Sequence, residues 1–83
     1  MNLSVKAFAL SAAILWGTAV LAVGLANTVW PEYGLSFLRV VASIYPGYHQ
    51  DGSMYQAVIG AGYAVVDGLV GGAIFAWLYN LFA

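Results

Sequence analysis

Cysteine is absent from this 83-residue chain and charge is scarce, with two basic and three acidic side chains making up 6% of it. Without cysteine there is no disulfide, no thiolate metal site and no thiol nucleophile, and the redox compartment stays open. The chain holds one histidine. His49 shares a polar turn with Asp51, but two residues fall short of the three or four ligands that a metal site takes. No serine, histidine and acid are arranged for nucleophilic catalysis, and no cofactor is called for. A net charge of −1 offers no basic surface to nucleic acid. What is abundant is apolar: 64% of the residues. Soluble domains carry about a quarter charged residues, and a chain this short has little interior in which to bury such a surface. The composition predicts a single integral membrane domain, non-enzymatic, with the lipid bilayer as its first partner.

The pattern along the chain predicts an all-α membrane protein, a two-transmembrane-helix hairpin with a short interfacial amphipathic connector helix. Residues 7–30 carry no charge and exceed the ~20 residues that span a bilayer. Trp30 and Tyr33 mark the far end, where aromatic rings favour the headgroup region. A secretory signal peptide is the competing reading, with Lys6 as its basic region, residues 10–23 as its apolar stretch and Gly24-Leu25-Ala26 as its cleavage site. The apolar run is long for that role. Pro31 and Glu32 suit a first helical turn, and Phe37, Leu38, Val41, Ile44 and Tyr45 then recur at helical spacing. Glu32, Ser36, Arg39 and Ser43 take the other face. This predicts an interfacial helix over 31–45, ended by Pro46-Gly47. A turn over 46–54 leads to a second span over 55–82, with Trp77, Tyr79 and Phe82 at its end. Arg39 joins Trp30, Tyr33, Trp77 and Tyr79 as an interface anchor. Lys6 near the amino group places both termini in the cytoplasm, against the opposing pull of Arg39.

Two features stand out in the second span. Gly60, Ala64, Gly68, Gly72 and Ala76 recur every four residues and form a groove, extended by Gln56 and Asn80. Lipid provides little hydrophobic force between helices, so association rests on the close van der Waals packing that small residues permit. This predicts a tightly packed helix face whose partner is the first span, a second copy or another protein. The first span offers a weaker counterpart in Ala13, Gly17, Val20 and Gly24. The second feature is Asp67. A charged carboxylate facing lipid at mid-membrane costs ~2.5–3.5 kcal/mol, so such a residue normally faces protein or water. The expected role is a polar contact at the packed interface with the carboxyl neutral, and Thr18 and Tyr63 as candidate partners. Proton handling and a bond to a partner's cation are the alternatives.

The connector motif Ala42-Ser43-Ile44-Tyr45-Pro46-Gly47-Tyr48, with Asp67-Gly68, Gly71-Gly72 and Phe75-Ala76-Trp77-Leu78-Tyr79-Asn80, resembles small bacterial membrane proteins of the bacteriophage-holin-like labelled family. The resemblance covers most of the chain. It implies an oligomer of copies in the bacterial inner membrane that opens lesions. A hairpin with a carboxylate midway along its second helix also resembles the proton-carrying ring subunit of rotary ATP synthases. That family concentrates its glycines in the first helix, whereas here they crowd the second. A third reading is an accessory subunit of a larger respiratory or photosynthetic complex, whose helices would fill the groove.

Overall fold

The structure is a computed structural model that describes residues 2–49 and 51–83. Helix α1 runs over Val5–Val29, α2 over Leu35–Ile44 and α3 over Met54–Phe82. The described residues contain no strand, and α1 and α3 are both long and apolar enough to cross a membrane.

Local chemistry sets the ends. Ser4 caps α1 by accepting from the Ala7 N–H at 3.3 Å. Ser53 caps α3 by accepting from the Gln56 N–H at 3.1 Å, which satisfies an otherwise orphaned amide in each case. Trp30 and Tyr45, each directly before a proline, are extended and end their helices. Helix α2 starts at Leu35 rather than at Pro31 as the sequence suggests. The reason is Gly34, whose φ of 62° is left-handed and cannot continue a right-handed helix. The buried Asn27 side chain also donates to the carbonyls of Pro31 and Tyr33, both at 2.9 Å, and holds that segment as a turn.

Helices α1 and α3 pack antiparallel along their length, small residue against small residue. Ala9, Ala13, Gly17, Val20 and Gly24 are buried on α1, and Ala57, Gly60, Ala64, Gly72 and Ala76 on α3. The register is legible in the glycines. Gly24 lies on Ala57, Gly60 beside Val20, Gly68 on Ala13 and Gly72 on Ala9. The Phe8 and Phe75 rings stack at 5.2 Å. At the open end Asn80 closes the hairpin by accepting from the Leu3 N–H at 2.6 Å and donating to the Leu3 carbonyl at 2.8 Å. The partner of the small-residue groove is therefore the chain's own first helix.

Helix α2 folds back against one flank of this pair. The long axis of the molecule is 44 Å, about the ~1.5 Å rise per residue expected of α3's 29 residues alone, so the connector adds nothing to its length. Leu38, Val41, Tyr45 and Tyr48 form a cluster with Val20 and Ala64, edged by Trp16, Val23 and Ile59. Tyr48 lies directly on Gly60, and the Tyr63 hydroxyl occupies the space a side chain at Gly47 would need. Ser36, Arg39 and Ser43 remain exposed on the outer side of α2.

A Cβ at Gly68 would stand 2.6 Å from the Ala13 Cα, where backbone has to move, whereas one at Gly62 meets nothing within 4 Å. Gly68→Ile should therefore destabilise the hairpin by about 1–3 kcal/mol. Gly62→Ala should leave its melting temperature in detergent nearly unchanged. Equal melting of the two variants would refute the assigned seam.

Candidate functional site

Asp67 stands midway along α3, one residue before Gly68. A helix turns about 100° per residue. With Gly68 held against α1, Asp67 therefore points to the flank that α2 occupies and is exposed there. The expectation of a carboxyl enclosed in the α1–α3 interface is corrected by this phase, because Gly60, Ala64, Gly68 and Gly72 fill the seam and leave no room in it for the neighbouring side chain.

Its hydrogen-bond partner comes from α2. The Tyr45 hydroxyl donates to Asp67 Oδ2 at 2.8 Å, and the Trp16 indole N–H donates to the Tyr45 hydroxyl at 2.8 Å. Indole is donor only, phenol is both donor and acceptor, and carboxylate is an acceptor. The chain thus has one direction, Trp16 to Tyr45 to Asp67, and successive bonds of this kind reinforce each other. Tyr45 is 6% exposed. Its ring is clamped by a stack on Tyr63 at 5.4 Å, and Trp16 is held edge-on to Phe37 at 5.8 Å. All three helices meet here, and the outer side of the carboxylate faces away from the protein.

Thr18 is exposed and does not partner Asp67. With Gly68 on Ala13, Asp67 falls opposite residues 14–15, about one turn from Thr18. Tyr63 is beside the site but serves as a stacking platform for Tyr45 rather than as a donor to the carboxylate. Gly17 and Gly24 line the seam, where Cβ atoms would crowd Val65 and Ala57 respectively. Trp30 and Tyr33 lie together at one end of the hairpin, with ring centroids 6.4 Å apart, and Trp77 and Tyr79 lie at the other. All four are exposed, as is Arg39. Sequence reasoning missed Trp16 and gave Tyr45 only a place on the apolar face of α2. The one available signal was Pro46, which forces Tyr45 out of helical geometry and frees its side chain to reach across.

The polar turn stands apart from this site. His49 donates its backbone N–H to Gln56 Oε1 at 2.7 Å. Hydrogen bonds from the Ser53 side chain and backbone hold the Asp51 carboxyl below the usual carboxylate range. Among the described residues no three acidic or histidine side chains cluster as a metal site. Comparison of the chain with protein-family models, curated proteins and solved structures finds no match.

Tyr45→Phe removes the middle of the relay and strands the Trp16 donor. It should lower stability by about 1 kcal/mol and increase carbodiimide labelling of Asp67. Thr18→Val should change neither. Identical labelling in the wild type and the Tyr45 variant would show that the relay does not shield the carboxyl.

Proposed function

We propose that this chain is a non-enzymatic protein of the bacterial inner membrane that works by helix–helix association, as a holin-like oligomer of copies within the bilayer. The observation that carries this reading is the exposure of Asp67 midway along a 29-residue apolar helix. A carboxylate at that depth does not face lipid stably, and among the described residues only a tyrosine hydroxyl bonds it, so another chain covers it.

Three further features support the membrane setting. Much of the outer surface of both long helices is large and apolar, as at Ile14, Leu15, Val66 and Val70. Aromatic rings collect at both ends of the hairpin, in the positions they take at headgroup level. The Leu3–Asn80 clasp brings the two termini to one end, and Lys6 in the first turn of α1 makes that end cytoplasmic by the positive-inside tendency. An accessory subunit of a larger membrane complex would present the same uncovered face to a different chain. The self-associating reading is preferred because the chain's own Arg39 is exposed and offers Asp67 the opposite charge.

Overexpression in a bacterium should depolarise the inner membrane, and the protein extracted in mild detergent should run as dimers or larger assemblies of itself. Copies that assemble while membrane potential and viability hold would retain the association and remove the lesion-forming role. Recovery only within a hetero-complex would establish the accessory-subunit reading instead.

A further inference from the structure

We infer that the Asp67 site is completed by Arg39 of a second copy, in a two-fold pairing where each copy's α2 supplies its guanidinium to the other's α3. The inference rests on the self-association proposed above and names the contact that drives it. Among the described residues, Asp67 and Arg39 are both exposed and neither makes an ion pair. Each is costly to leave against lipid, and each supplies what the other lacks.

The choice of Arg39 follows from position. The chain has two basic side chains, Lys6 and Arg39. Lys6 lies in the first turn of α1, and the Phe8–Phe75 stack sets that turn opposite the last third of α3, more than two turns beyond Asp67. Arg39 lies on α2, which rests on the flank where Asp67 emerges. It precedes Tyr45, the residue bonded to Asp67, by six positions, a rise of about 9 Å. Leu38 and Val41 turn inward to the core, so Arg39 turns outward with Ser36 and Ser43, towards any neighbour. Its long stem and planar fork suit a carboxylate that already accepts one hydrogen bond.

Symmetry and shape permit the contact. Copies inserted in the same orientation are related by an axis along the membrane normal, which keeps each residue at its own depth, so the extended Arg39 side chain has to span most of that ~9 Å offset. A two-fold axis then makes both Arg39–Asp67 contacts at once, as isologous interfaces do. One turn beyond Asp67 on the same face is Gly71, with nothing within 4 Å of the space a Cβ would fill. A neighbouring helix can approach α3 closely there.

A trans pairing of this kind has a distinctive test. Purified wild-type protein, Arg39→Glu, Asp67→Arg and the double swap would be labelled with donor or acceptor dye. Association would be read by energy transfer in phosphatidylethanolamine–phosphatidylglycerol vesicles. Each single variant alone should associate about tenfold more weakly or less. An equimolar mixture of the two should recover wild-type association, because each contributes what the other's partner needs, and the double swap should recover it alone. Failure of both the mixture and the swap would overturn the pairing, as would single variants that associate normally, and in the latter case self-association itself would stand. Wild-type protein that stays monomeric would defeat both proposals. Should the charge-reversed chains lose helical signal, Arg39→Gln and Asp67→Asn decide: weakened association supports the pairing and unchanged association overturns it.

Discussion

Close backbone approach along the α1–α3 seam is the constraint on which everything else in this molecule depends. The two long helices meet through Ala9, Ala13, Gly17, Val20 and Gly24 on one side and Ala57, Gly60, Ala64, Gly68, Gly72 and Ala76 on the other. Few of these residues have side chains large enough to interlock. What holds the helices is dispersion between atoms brought close because little stands between them, and one bulky residue in the row separates its neighbours as well. The Asn80 amide at one end and the connector at the other keep the two helices from sliding.

That seam fixes the rotation of α3 about its own axis, and the rotation decides the fate of the side chains beside it. Gly60 and Gly68 face α1, so Tyr63 and Asp67 emerge on the flank. Helix α2 then finds there a shallow surface, a carboxylate to bond and a glycine for Tyr48 to lie on. The connector is thus a third packed element, bound by a small apolar cluster and by the Trp16–Tyr45–Asp67 relay. Its polar outer face, with Arg39 at the centre, and the open side of Asp67 are uncovered polar features along the same flank of the hairpin. Under the proposed membrane reading both require a neighbour.

Much of the fold was legible beforehand. The long apolar runs gave two long helices, the prolines gave two of the breaks, and the four-residue spacing from Gly60 to Ala76 gave the face of α3 that packs. The start of α2 was misread at Pro31 because proline and glutamate suit a helix start locally, and nothing local reveals that Asn27 ties the carbonyls of Pro31 and Tyr33 into a turn. At the site, Asp67 was legible as the residue of interest. Its partner was not, since Thr18 follows only if the two helices are aligned about one turn differently.

The sequence by itself determined the helices, their small-residue faces and the position of a lone carboxylate midway along α3, because helical periodicity and chain-breaking are properties of neighbouring residues. Only the tertiary structure decided the register of α1 on α3, the placement of α2 along the flank and hence the bond from Tyr45 to Asp67. Register depends on the summed closeness of two whole helices, and no short stretch of either carries that sum. The connector's placement depends in turn on which side chains the register leaves outside.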